Sequence, residues 1–301
     1  MGYRLGTNLG FAANKYIEPE VWTKIVAEEL GLHYVQFIAD LINPFWPEEY
    51  IDDQIKRVQQ ATAEYDIHVE SMFTSSFTRV NHLMNPDEAA RKIWLDWFKR
   101  FLDIGAKFGA KNSGSHFGIL TFHDYDQEKR REFIIEEAVK AWQDLTFYAR
   151  DLGYECLIFE PMSVPREMAT TVADTISLLD RVNANCGVPM RLCLDVGHAP
   201  HPSERDPYPW LEKLAQLSPI IHLQQTVLHK SNHAPFTEDA NRDGINKGEK
   251  IMEAVKKSGC TDAFFAFEIS HREHSDTEFR IIDDLRESVR YWRQFIQEDQ
   301  V

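Results

Sequence analysis

The chain has 301 residues, 43% of them hydrophobic, and a formal net charge of −15. That length and apolar content support one large core, and a single α/β barrel fits them as well as two smaller domains. The acidic balance, with no basic run, argues against nucleic acid, whose binding draws on clustered Lys and Arg. A small anion stays possible, because a few local cations suffice for one phosphate. The opening Met-Gly-Tyr-Arg-Leu-Gly lacks a charged segment followed by an apolar one. No run approaches the roughly 18 apolar residues of a membrane span. The four cysteines show no CxxC spacing, and Cys156 and Cys193 fall in apolar runs that suit buried free thiols. A cytoplasmic, reduced protein with no membrane partner is expected.

Strand-like and helix-like segments alternate along the whole chain. The strand candidates are Arg4–Asn8, Tyr34–Ile38, His68–Phe73, Lys111–Ser115, Tyr154–Glu160, Met190–Asp195, Ile220–Gln224 and Ala263–Glu268. Between them lie apolar stripes of helical period. One is Ala90, Ile93, Trp94, Trp97, Phe101 and Leu102; another is Phe133, Ile134, Ala138, Ala141, Leu145 and Tyr148. A third is Val172, Ile176, Leu179 and Val182, and the last is Ile282, Leu285, Val289, Trp292 and Ile296. Eight strand–helix units without a linker or repeat predict an α/β fold, a single-domain (β/α)8 TIM barrel over residues 1–301. An open doubly wound sheet is the alternative, but no G-x-G-x-x-G turn follows the first strand. The longest strand-to-helix loops are Phe73–Asp87, Phe117–Lys129, Ala199–Pro209 and Gln225–Lys247. The last holds His229, Lys230, His233 and Arg242, and could fold over a ligand as a lid.

Four of the strand candidates carry a polar residue at or near their C-terminal end: Glu160, Asp195, His222 and Glu268. A charge beside a core is costly unless something pairs it. In a barrel, strands five to eight are neighbours, so these residues would converge at the C-terminal mouth. Three carboxylates and one imidazole suit Mn²⁺ best, with Mg²⁺, Co²⁺ or Zn²⁺ as other occupants. In Asp195-Val-Gly-His198 a glycine allows a tight turn, and His198 could reach the substrate or the ion. A ketose held by its carbonyl and hydroxyl oxygens has an acidified neighbouring C–H, and a metal ion stabilises the enediolate. One glutamate removes the proton and the other returns one to the opposite face, which gives epimerisation. Return to the adjacent carbon gives aldose–ketose isomerisation, and the ligand types do not separate the two.

At these residues the chain resembles the xylose-isomerase-like sugar isomerase/epimerase superfamily of TIM barrels. It is most similar to the branch holding ketose 3-epimerases and tetrulose-phosphate (erythrulose-phosphate) 3-epimerases. The resemblance covers essentially the whole chain and rests on Leu-Gly-Thr-Asn-Leu-Gly-Phe-Ala, Glu-Leu-Gly-Leu-His-Tyr-Val-Gln-Phe, Phe-Glu160-Pro-Met and Ile-His222-Leu-Gln-Gln-Thr. It implies that Glu160 and Glu268 are both ligands and the acid/base pair, that Asp195 and His222 complete the metal site, and that His198 holds a substrate hydroxyl. It implies a carbohydrate isomerase acting on a small sugar or sugar phosphate, and a homo-oligomer, dimer or tetramer, is expected. One departure stands out: free-ketose members carry an Arg six residues after the strand-seven His, and here that position is Leu228.

A phosphorylated substrate is therefore a separate expectation. Thr74-Ser75-Ser76-Phe77-Thr78-Arg79 offers hydroxyls and a cation, and Asn112-Ser113-Gly114-Ser115-His116 offers further donors. Arg79, Ser113, His116, Lys230 and Arg272 are the candidate substrate contacts, with Glu70 as a further candidate lining the mouth. Gln36 could line the mouth as well, while Phe11, Phe45, Trp46 and Phe117 suit packing beneath the loops. Trp94, Trp97, Phe98 and Phe101 suit barrel packing or a subunit contact, and His271 and His274 a polar loop. An inosose-type dehydratase on the same scaffold is an enzymatic alternative. An endonuclease IV-type site lacks its Asp-x-His element here, and a silent metal- or carbohydrate-binding barrel would not need both glutamates.

Overall fold

The computed structural model describes residues 2–75, 78–198, 206–271 and 278–296. Eight parallel strands close into a barrel in sequence order, the (β/α)8 architecture expected from the alternating pattern. They are β1 (Tyr3–Asn8), β2 (Tyr34–Ile38), β3 (His68–Phe73), β4 (Asn112–His116), β5 (Cys156–Glu160), β6 (Met190–Asp195), β7 (Ile220–Leu223) and β8 (Ala263–Phe267). The helices are α1 (Pro19–Lys24), α2 (Glu48–Glu64), α3 (Glu88–Phe108), α4 (Phe122–Asp126), α5 (Glu128–Leu152), α6 (Val172–Asn183), α7 (Pro207–Leu214), α8 (Glu238–Asp243), α9 (Gly248–Lys257) and α10 (Ile281–Trp292). The chain forms two compact units, Met1–Phe37 with Lys56–Val69 and Cys193–Val301, and Ile38–Ile55 with Glu70–Leu192. The divisions between them fall inside β2, α2, β3 and β6.

The strand sequences explain the architecture. β5 and β8 are buried at every position, which suits strands covered on both faces. β1 pairs with β8 from Tyr3 opposite Ala263 to Thr7 opposite Phe267, and this ladder closes the ring. The helices have defined ends. Asp87 caps α3 by accepting from the backbone N–H groups of Ala89 (2.7 Å) and Ala90 (3.1 Å). Gly109, at φ 75°, ends the same helix in the left-handed region, where a side chain would be strained.

Four details of the predicted stripes are corrected, the first being Ile93 on α3, which is exposed. Ile281, not Ile282, joins Leu285, Val289 and Trp292 on the buried face of α10. Phe133 and Ile176 are exposed, because α5 and α6 rotate Ile134, Ile135, Thr175 and Leu178 inward instead. Phe133 is flanked by the guanidinium groups of Arg91 and Arg130, 5.9 and 5.3 Å from its ring centre. On α3, Trp97, Phe98 and Phe101 are buried, so these three belong to the packing of the chain itself. Two of the long loops contain short helices that the periodicity did not indicate, α4 and α8. All four cysteines are free, and burial pushes the Cys156 thiol up to about 12. Among the described residues no helix is long and apolar enough to cross a membrane.

Trp142 anchors the helix layer to the loop after β4. It is almost wholly buried, and its indole N–H donates to the Phe117 carbonyl at 3.0 Å. Trp142→Ala removes that bond and leaves a large void, so stability should fall by roughly 3–5 kcal/mol. Urea denaturation measures it, and a loss much below that range means the helix re-packs over the gap.

Candidate active site

Parallel register brings the C-terminal ends of successive strands to one side of the barrel, and the pleat turns alternate residues to the same face. Asp195 ends β6 and lies directly opposite His222 of β7. Glu268 follows the last residue of β8, its backbone N–H bonded to the Leu223 carbonyl at 3.0 Å. Glu160 ends β5, opposite His116 at the end of β4. Ligand atoms of Asp195, His222 and Glu268 all lie within 4.8 Å of one another. Glu160, Asp195 and His222 are buried, and Glu268 is the most open of the four.

The protonation of His222 follows from its neighbours. Its Nε2 lies 2.7 Å from Gln36 Oε1. The Asn8 amide donates to that same oxygen at 2.7 Å, which fixes it as an acceptor. His222 Nε2 therefore carries the hydrogen, and the Cys193 sulfur lies 3.2 Å from the same nitrogen. In the neutral ring, Nδ1 is then bare. It faces Glu268 Oε2 at 3.2 Å, so two electron-rich atoms oppose each other within a fully buried imidazole's reach. His222, Glu268 and Asp195 are the residues that would hold a divalent ion, and its positive charge would relieve that opposition. The residues present thus fit a divalent metal.

Asp195 is held from behind. The Gln224 amide nitrogen donates to both of its oxygens, at 2.9 and 3.0 Å, and the Gly197 N–H donates to Oδ1. Gly197 is required there, because a Cβ would sit 2.5 Å from the Gln224 side-chain carbon. His198 Nε2 lies 3.3 Å from His233 Nε2. His233 Nδ1 lies 3.2 Å from the Glu268 carbonyl, so the segment expected as a lid does reach the strand ends. Ligand atoms of Asp195, His198 and His233 form a further close group within 4.8 Å.

The other candidate contacts are placed less uniformly. His116 ends β4, as expected. Its Nε2 donates to the Val80 carbonyl at 3.3 Å and its Nδ1 accepts from Ser115, which accepts in turn from Thr74. Ser113 is buried, and period-two alternation sets it on the opposite face from His116. Glu70 is the third of six residues in β3 and pairs with Lys111, 2.9 Å away, before β4 begins. Its pairing lies toward the start of those strands, away from the ends that carry the ligands. Arg79 makes a two-pronged ion pair with buried Glu167, at 2.7 and 2.8 Å, so its charge is already matched. Lys230 is exposed in a turn closed by its N–H to the Val227 carbonyl at 3.1 Å. Arg272, His274, Ser76 and Phe77 lie outside the described residues. His271 is not part of an open polar loop, because it pairs with buried Asp284 at 3.0 Å. Sequence reasoning missed Gln224, Cys193 and Glu167. The signal for the first two was spacing: Gln224 is two residues after one ligand and Cys193 two before another, so both share the ligands' face.

Comparison with known proteins places the fold in a family. Residues 25–295 match the family described as xylose isomerase-like TIM barrel, and the chain belongs to that family. It is 32% identical over 297 residues to a D-erythrulose 1-phosphate 3-epimerase of Brucella abortus (strain 2308), covering 97% of this chain and 96% of that protein. A crystal structure from Rhodospirillum rubrum ATCC 11170, bearing a provisional xylose isomerase name, superposes with a TM-score of 0.89 at 27% identity, covering 97% and 99% of the two chains. The fold is also that of a D-psicose 3-epimerase from Clostridium cellulolyticum H10 solved with D-tagatose. The TM-score is 0.74 at 14% identity, over 98% of this chain and all of the other (100%).

Burial lowers the pKa of His116 from 6.5 to about 4, with Glu167 opposing that shift. The unfolded chain then holds a proton that the folded chain lacks between pH 6.5 and about 4. Stability from this residue is full above that window and is lost as pH falls through it. His116→Gln should therefore flatten the acid side of the stability profile. Urea midpoints taken across the window test this, and an unchanged slope means His116 is charged in the native state.

Proposed function

We propose that the chain is a divalent-metal-dependent 3-epimerase of a short ketose phosphate, with erythrulose phosphate the best-matched substrate. The observation that carries this reading is the 3.2 Å approach of His222 Nδ1 to Glu268 Oε2, with Asp195 completing the group. Three oxygen donors and one imidazole favour Mn²⁺. A bound ion would supply positive charge that stabilises the enediolate of the ketose.

The chain's own residues divide the remaining work. Glu160 and Glu268 stand at the ends of β5 and β8 and exchange protons with C3 from opposite faces of the sugar. Asp195 is committed to Gln224 through both oxygens, and His222 to Gln36 through Nε2, so these two hold rather than transfer. His198 takes a substrate hydroxyl, and His116, kept neutral by burial, borders the same strand ends. The phosphate preference is supported by the Brucella abortus relative. Lys230 on that loop is the cation we assign to the phosphate, with Arg272 as its expected companion.

Glu160→Gln and Glu268→Gln should each abolish turnover while thermal unfolding stays close to that of the parent, since each removes one proton carrier and keeps its shape. Reaction in deuterated water should return a ketose labelled at C3. An aldose product would instead make the chain an isomerase, and near-native activity of either variant would sink the two-base mechanism.

Erythrulose phosphate should be turned over with higher kcat/KM than erythrulose, and Lys230→Ala should narrow that gap by raising KM for the phosphate alone. Equal efficiency for the two sugars would remove the phosphate from the proposal.

A further inference from the structure

We infer that Gln224 is a positioning residue that couples Asp195 to the segment carrying His233, so that ion binding and seating of that segment form one event. This rests on the metal reading above and deepens it.

The amide of Gln224 has two committed ends. Its nitrogen donates to both oxygens of Asp195, at 2.9 and 3.0 Å, and also lies 3.2 Å from Ser231 Oγ and 3.4 Å from His233 Nε2, while its oxygen accepts the His233 backbone N–H at 2.6 Å. A planar amide cannot shift one end without moving the other. The side chain is fully buried, Gly197 packs against it, and the Gln224 backbone carbonyl accepts from the Asn246 side-chain amide at 2.7 Å. The group therefore has one available placement, and it transmits position between its two partners.

What hangs on the loop side is specific. His233 is held at φ 47°, in the left-handed region that few non-glycine residues adopt. Its carbonyl accepts the Ser270 N–H at 2.8 Å, and the neighbouring Ala234 exchanges two backbone hydrogen bonds with Gln225, at 2.8 and 3.0 Å. Through this anchoring the His233 ring meets His198 and the Glu268 carbonyl. An ion that fixes Asp195 fixes the amide, and the amide fixes the loop. By reciprocity, a seated loop aims Asp195 and raises affinity for the ion.

The test uses the full chain, Mn²⁺ alone and two variants. Gln224→Met keeps the volume against Gly197 and loses both arms. Gln224→Glu keeps an acceptor for the His233 N–H and loses the donor to Asp195. Calorimetric titration gives Mn²⁺ affinity, and amide hydrogen exchange reads residues 230–236. In the unaltered chain Mn²⁺ should slow exchange at His233 and Ala234. Both variants should bind Mn²⁺ roughly 10- to 100-fold more weakly. Gln224→Glu should keep metal-free protection of the loop yet gain none on adding Mn²⁺. The inference is overturned if Mn²⁺ leaves the loop's exchange unchanged in the parent chain, or if Gln224→Glu shows the parent's Mn²⁺-induced slowing. Should Gln224→Met fail to fold, Gln224→Glu alone decides. A parent chain that binds no Mn²⁺ sinks this inference and the metal reading together. Coupling without epimerase activity sinks only the activity.

Discussion

The 2.7 Å contact between His222 Nε2 and Gln36 Oε1 decides which nitrogen of a buried imidazole is bare. With the hydrogen committed to Gln36, Nδ1 points at Glu268, and the strand ends around it become a place for positive charge. Asn8 matters because it fixes the orientation of the Gln36 amide. Reversing that amide would put a donor against the His222 N–H and undo the arrangement. One tautomer, set by two residues from β1 and β2, thus governs a group drawn from β7 and β8.

The barrel makes this possible through register alone. Asp195 lies opposite His222, and Glu160 opposite His116, because parallel ladders align strand ends. No loop is needed to bring these residues to their places. Loops enter at the next level. His233 approaches His198 and the Glu268 backbone on a segment tied down by backbone pairing between Gln225 and Ala234. The rigid strands thus carry the groups that need accurate placement, and the loops carry the groups suited to recognising a substrate.

Much of this was legible in the sequence, for a physical reason. Buried parallel strands are nearly unbroken apolar runs, so a polar residue at the end of one is conspicuous. Glu160, Asp195, His222 and Glu268 were all visible in that way. Gln224 was not, because a glutamine at a strand end looks like any loop residue until its amide is seen on Asp195. Glu70 misled for the opposite reason. It is a buried carboxylate within a strand, but its cation, Lys111, is supplied locally. Arg79 and Glu167 lie far apart in sequence, so no local pattern could show that one neutralises the other. Periodicity located the helices well but misjudged which of two adjacent apolar residues turns inward, as at Ile281 and Ile282.

The pairing of Gln225 with Ala234 isolates the residues between them. Both ends of that stretch are anchored to β7 and to the chain after β8, while Leu228, His229 and Lys230 at its tip are exposed. Changes at the tip need not disturb the anchors, and the anchors flank Gln224 and His233, of which Gln224 contacts Asp195 directly. The scaffold thus separates a segment free to diversify from a chemistry that must stay fixed. A few tip side chains could be exchanged with little penalty to folding or to the groups at the strand ends.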